Sequence, residues 1–272
     1  MNEDRNLALF CDFENIALGV RDARYAKFDI GPALERLLLK GSIVTKKAYC
    51  DWDRYKEFKK GMHEAAFELI EIPHVKMSGK NSADIRMVVD ALDLCYTKEH
   101  IDTFVIISGD SDFSPLVSKL RENAKTVIGI GVKGSTSDLL ISNCDEFIFY
   151  DDLVPGAESG KASSATKTKS KKRGKRSKKK TAVKKSDPAQ EAIDLVIETT
   201  EALYAERGDK AKLWGSMIKQ TLKRRRPGFN ESVYGFSSFS DLLEEAAKRE
   251  QLDLERDDKS GGYIVLGIRD AV

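Results

Sequence analysis

The residues with most chemistry to offer are four aspartates, Asp12, Asp84, Asp110 and Asp112, in a chain of 272 residues. Carboxylate oxygens are hard ligands that suit Mg2+ or Mn2+. Acids gathered at one place repel one another, and a divalent cation relieves that repulsion. Once bound, such an ion polarises a phosphoryl oxygen and lowers the pKa of a coordinated water, giving a hydroxide that attacks phosphorus. Each acid also has a plainer use. An aspartate after a strand forms turns or caps helices, so Asp112 can cap a helix beginning at Phe113. Asp84 can serve the positive end of a helix dipole. A fifth acid, Asp51 in Tyr49-Cys50-Asp51-Trp52, can cap the helix that follows it. Histidine chemistry is not indicated, because His63, His74 and His100 lie away from the expected strand ends.

What makes the aspartates a set is the elements that must hold them. Apolar runs at Asn6–Cys11, Ser42–Tyr49, Glu68–Ile72, Thr103–Ile107 and Thr126–Ile130 read as strands, with Glu146–Tyr150 as a sixth. Continuous runs rich in Val, Ile and Phe suit a parallel sheet covered on both faces. Helical patterns lie between them, at Ile30–Leu39, Arg54–Ala66, Ala83–Tyr96, Phe113–Glu122 and Ser137–Ser142. The alternation predicts an α/β fold with a Rossmann-like, doubly wound, mostly parallel sheet. In such a sheet, functional groups collect beyond the carboxyl ends of the strands. Asp12 follows the first strand, Asp110 and Asp112 follow the fourth, and Asp51 ends the second.

Charge divides the chain into segments. Residues 1–152 carry 20 Lys/Arg against 26 Asp/Glu, and residues 186–272 carry 13 against 17. Between Lys161 and Lys185 there are 13 Lys/Arg and no acid. That stretch holds almost no large apolar residue, so it cannot bury enough surface to offset the entropy of ordering. Three regions are expected: an α/β domain at 1–152, a basic disordered linker at 153–187 and a small C-terminal domain at 188–272. In the last, helices at Ala189–Tyr204, Trp214–Leu222 and Phe239–Ala247 precede a hairpin of Leu252–Leu254 and Tyr263–Leu266, a winged-helix-like order. A cationic run of this kind attracts phosphate backbone with steep salt dependence, although with no aromatic residue it cannot stack bases.

Asp12-Phe13-Glu14-Asn15-Ile16 resembles the opening D-x-x-N motif of NYN domains, a PIN-like ribonuclease family that includes the bacterial LabA-like (DUF88) proteins. Tyr49–Trp52, Lys80–Ile85 and Ser108-Gly109-Asp110-Ser111-Asp112-Phe113 are similar to that family's later motifs, in order. The resemblance spans about residues 6–150. It implies a Mg2+ or Mn2+ site and endonucleolytic cleavage of RNA, with Asp12, Asp84, Asp110 and Asp112 as metal-binding acids. Asn15 would orient the Asp12 loop or touch phosphate, Asp51 would flank the site, and Lys80 would contact substrate phosphate. The alternative is a non-catalytic RNA-binding adaptor with a vestigial pocket, since fold does not fix function.

Tyr234-Gly235-Phe236-Ser237-Ser238-Phe239-Ser240-Asp241-Leu242-Leu243 is similar to the start of a core helix in OST-HTH or LOTUS domains. Phe236, Phe239, Leu242 and Leu243 are read as core. Lys219, Lys223, Arg224, Arg225 and Arg226 would form a basic edge. That resemblance implies RNA binding, or docking to a protein partner. Other classes fit less well. Gly129–Thr136 lacks phosphate-loop spacing. No apolar run approaches the roughly 20 residues of a membrane span. The polar Met1–Arg5 does not read as a signal peptide. Cys11, Cys50, Cys95 and Cys144 are scattered, as expected of free thiols in a cytoplasmic protein.

Overall fold

The computed structural model describes residues 5–25, 28–72, 82–154, 187–208, 212–257 and 260–269. Two compact units divide it, one of residues 1–155 with Ser216–Asn230, the other of Gly156–Gly215 with Glu231–Val272.

In the first unit, six parallel strands form one sheet: β1 (Arg5–Asp12), β2 (Gly41–Cys50), β3 (Glu68–Glu71), β4 (Thr103–Ile107), β5 (Thr126–Gly131) and β6 (Glu146–Phe149). Their order is β3-β2-β1-β4-β5-β6, as expected of a doubly wound sheet. The chain winds outward one way from β1 and then restarts beside it at β4. That reversal opens a crevice between the carboxyl ends of β1 and β4. Both faces of the sheet are covered. Leu7, Leu9, Cys11, Val105 and Ile107 point into one core, and Ala8, Phe10, Phe104 and Ile106 into the other. Burial on both faces explains why these strands read as unbroken apolar runs rather than alternating ones.

Helices α1 (Phe13–Asp22), α2 (Gly31–Leu38), α3 (Lys56–Glu64), α4 (Ser82–Thr97), α5 (Ser114–Glu122) and α6 (Asp138–Asn143) complete the βα pattern. All but α1 match the sequence expectation within a few residues. Helix α1 follows β1 with no intervening loop, its N-cap being the last strand residue, Asp12. Its buried Phe13, Ile16, Ala17, Gly19 and Val20 do keep helical spacing. Gly19 weakens the local signal, yet a Cβ there would stand 2.6 Å from Ser135 Oγ. Close packing of α1 on the loop after β5 outweighs helix propensity at this position.

Asp187 caps α7 (Pro188–Arg207) in the second unit, accepting a hydrogen bond from the Ala189 N–H at 3.1 Å. Strands β7 (Leu213–Trp214), β8 (Leu252–Arg256) and β9 (Tyr263–Ile268) form a small antiparallel sheet in the order β7-β9-β8. Helix α9 (Phe239–Lys248) buries Phe239, Leu242 and Leu243 and is capped by Ser238. Two expectations need correction. Trp214 is not the start of a helix but pairs with Ile264 across β7 and β9, with α8 (Gly215–Arg225) beginning after it. Phe236 lies in the short loop before α9 and is only partly buried. The basic segment Lys161–Lys185 lies outside the described residues, as does Lys80.

Glycine at position 129 shows how tightly the sheet edge is packed. A Cβ would meet the Phe147 ring at 2.3 Å and Cys144 Sγ at 2.9 Å. Gly129→Ala is expected to destabilise the protein by about 1–3 kcal/mol through overpacking, read as a lower midpoint in chemical denaturation with unchanged slope.

Candidate active site at the carboxyl ends of β1 and β4

Strand register sets the geometry. Cys11 pairs with Ile107, so the next residues, Asp12 and Ser108, stand side by side in the crevice. Asp12 is only 8% exposed and Ser108 is fully buried. The Ser108 hydroxyl donates to Asp12 Oδ2 at 2.9 Å and accepts the Asp110 N–H at 3.2 Å. Asp12 Oδ1 accepts the Asn15 N–H at 3.4 Å, and Asn15 Oδ1 accepts the Gly109 N–H at 2.8 Å. The bonds from Ser108 to Asp12 and from Gly109 to Asn15 tie the turn after β1 to the turn after β4, while the other two stiffen each turn. Asp110 Oδ1 accepts the Asp112 N–H at 3.0 Å, capping the 3-10 turn Ser111–Phe113. Asp112 does not cap α5, whose N-cap is Phe113 with no side-chain hydrogen bond.

A second layer presses on this turn. A Cβ on Gly109 would lie 2.7 Å from the Ser135 carbonyl oxygen and 3.1 Å from Thr136 Cα. The Ser135 and Thr136 hydroxyls both donate to the Val132 carbonyl, and the Ser137 N–H donates to the Gly109 carbonyl at 2.9 Å. These loop hydroxyls brace the site rather than cradle a phosphate.

Electrostatics show which acids share the crevice. Burial pushes Asp12 up to about 7; the Ser108 and Asn15 hydrogen bonds oppose the rise, while the charges of Asp84 and Asp110 add to it. Asp84, in the first turn of α4, is raised by burial and then by Asp110, Asp112 and Glu14. The four aspartates picked out in sequence therefore feel one another, and among the described residues no cation stands among the principal influences on Asp12 or Asp84. Glu14 belongs with them, although the sequence motif does not single it out. It sits in the first turn of α1, the helix without a clear sequence signal, and its Oε1 lies 3.3 Å from Arg54. Ser108 falls inside a motif, yet nothing local to it announces its role.

Asp51 Oδ1 accepts the Asp53 N–H at 3.2 Å, and the Asp51 carbonyl accepts the Arg54 N–H, so this acid builds its own turn. Lys223 Nζ lies 3.7 Å from Glu146 at the start of β6, the sheet end opposite the aspartates. Burial acts to raise Glu146, but the hydrogen bond from Lys40 and the charges of Lys223, Lys40 and Arg36 outweigh it and hold the carboxyl below its ordinary value. Lys219 is partly buried, and Arg224, Arg225 and Arg226 are exposed at and beyond the end of α8.

The residues present suit a hard divalent ion. All donors are carboxylate oxygens, two of them carry raised pKa values that a nearby cation would lower, and Ser114 Oγ, just past the Asp112 turn, is buried without a hydrogen-bond partner among the described residues. Among the described residues, no three His, Cys, Asp or Glu side chains form a finished cage. Mg2+ does not ask for one, since it keeps waters and takes few carboxylates plus substrate phosphate.

A cluster of carboxylates at the switch point of a parallel α/β sheet marks this domain. Comparison with known families names it further: the chain belongs to the NYN domain family, whose model matches residues 6–151. NYN domains are PIN-like domains of nuclease-like fold. An uncharacterized protein of Methanocaldococcus jannaschii is 37% identical over 65 residues, covering 24% of this chain and 27% of that protein. The chain thus matches about a quarter of that relative's length. The crystal structure of a protein of unknown function from Vibrio parahaemolyticus is similar at a TM-score of 0.50 and 26% identity, covering 56% of this chain and 96% of that one.

The raised Asp12 predicts a pH signature. Its folded pKa of about 7 exceeds the ordinary 3.8, so the folded state holds the proton more tightly. This group's contribution to stability is full below about pH 4, falls as pH rises and is lost above about pH 7. Asp12→Asn removes that loss. In chelator the variant should be more stable than wild type at pH 8, by about 4 kcal/mol at most, with the gap closing by pH 4. Thermal melts across that range check this, and equal pH profiles would contradict it.

Proposed function

We propose that the chain is a divalent-metal-dependent RNA endonuclease that hydrolyses phosphodiester bonds, acting in the cytoplasm. The observation that carries this reading is the mutual coupling of Asp12, Asp84 and Asp110, with no counter-cation among the described residues, in an NYN domain. Asp12, Asp84, Asp110 and Asp112 would hold Mg2+ or Mn2+. When bound, the ion supplies Lewis acidity at a phosphoryl oxygen and an acidified water. The chain's own part is positional. Ser108 and Asn15 fix Asp12 and the Gly109–Asp110 turn before substrate arrives, and Asp84 enters from the start of α4. Asp51 and Lys80 would flank the cleft.

Substrate capture would fall to the basic linker at 153–187 and to a C-terminal OST-HTH/LOTUS-type domain at 188–272, through Lys219, Lys223, Arg224, Arg225 and Arg226. That domain also offers a surface for a protein partner. The cationic composition of Lys161–Lys185 supports backbone contact, because each neutralised phosphate releases counterions.

Cleavage of single-stranded and structured RNA with Mg2+ or Mn2+ is the direct test. Asp110→Asn should lower the rate by about 10²-fold or more, while RNA binding in chelator persists. Equal turnover by wild type and variant would remove the enzymatic reading and leave a binding adaptor. Replacing the linker lysines with alanine should flatten the slope of log affinity against log salt by about one unit for each phosphate no longer neutralised. An unchanged slope would show that the linker does not touch RNA.

A further inference from the structure

Helix α4 carries an apolar stripe that faces solvent. Ile85, Val89 and Tyr96 are 63%, 56% and 60% exposed, and Leu92, partly buried, continues the line. Spacing of i, i+4, i+7 and i+11 puts all four along one edge of the helix. That edge is distinct from Met87, Ala91 and Cys95, which α4 buries against the sheet. Single exposed apolar side chains are ordinary, whereas a line of them marks a contact surface. At this spacing the line is the seam along which two helices pack.

The flanking charges indicate the partner. Arg86 and Asp93 each follow a stripe residue by one position, so they share a flank on opposite sides of the helix midpoint. A two-fold axis across an antiparallel pair brings like flanks together. Ile85 then meets Tyr96 of the partner subunit, and Val89 meets Leu92 of the partner subunit. Arg86 comes within about 3 Å, measured along the axis, of the level of Asp93 of the partner subunit, at 1.5 Å rise per residue. Arg86 leans on Asp90 at 3.1 Å yet keeps its side chain 57% exposed, and Asp93 is exposed. A parallel pairing would instead place the two copies of this flank on opposite sides of the seam, so that Arg86 and Asp93 would not meet.

We propose that α4 is the face by which two copies of this chain associate, antiparallel about a two-fold axis, through the Ile85–Val89–Leu92–Tyr96 stripe. The association is independent of whether the acidic crevice cuts RNA. Light scattering or sedimentation on the full chain, freed of nucleic acid and followed across the micromolar range, tests it. Wild type should weigh as a dimer, and Val89→Lys as a monomer with an unchanged circular dichroism spectrum. Arg86→Glu and Asp93→Lys should each weaken association by about tenfold, and the double variant, which exchanges the two charges, should recover it. A wild type that stays monomeric overturns the proposal, as does a double variant no better than the singles. If Val89→Lys destabilises a monomer, the stripe is covered within the chain itself and the proposal fails.

Discussion

The first unit depends on one unfavourable act, the burial of the Asp12 carboxylate at the centre of the sheet. Leaving a charged group with so little water costs several kcal/mol unless it is paired or neutralised. Here it has hydrogen bonds from Ser108 and Asn15 and, among the described residues, no cation beside it. The remainder of the imbalance is stored as a raised affinity for positive charge, either a proton or a metal ion. The stitched turns, the braced loop after β5 and the glycine at position 109 all hold that arrangement in place, so the strain cannot relax by letting Asp12 swing into solvent.

Arrangement of the strands explains why this point was chosen. β1 and β4 are sequence-distant but adjacent, and they lie at the only place in a doubly wound sheet where successive helices leave in opposite directions. The gap between those helices gives side chains room to converge from three segments. Asp12 and Glu14 come from the start of α1, Asp84 from the start of α4, and Asp110 with Asp112 from the turn before α5. Three helix N-termini thereby gather at one crevice, and their partial positive ends favour the anionic groups collected there.

Much of this is legible in the sequence, for a physical reason. Strands buried on two faces must be apolar throughout, so β1, β4 and β5 can be read directly, and the position of Asp12 or Asp110 relative to the sheet follows from strand polarity. What cannot be read is whatever depends on contact between distant segments. Nothing local says that Ser108 should reach Asp12 rather than cap its own turn. Helix α1 is hidden because it shares Asp12 with the preceding strand and carries Gly19 for packing against Ser135. Losing that helix also loses Glu14, which has meaning only as a first-turn residue that acts on Asp84. Asp51 stands at a strand end as expected, and the bond from the Asp53 N–H to its Oδ1 also depends on the turn that follows. Trp214 misleads because a two-residue strand has no periodicity to detect.

The Ser108–Asp12 hydrogen bond joins residues separated by 96 positions. During synthesis, β1 emerges first and has β2 as its early neighbour, but its other edge stays open until β4 leaves the ribosome. The crevice does not exist in the meantime, and a chain that carries Asp12 has no partner for it. A site built across this seam is incomplete on nascent and C-terminally truncated chains, and forms only when the second half of the sheet closes against the first.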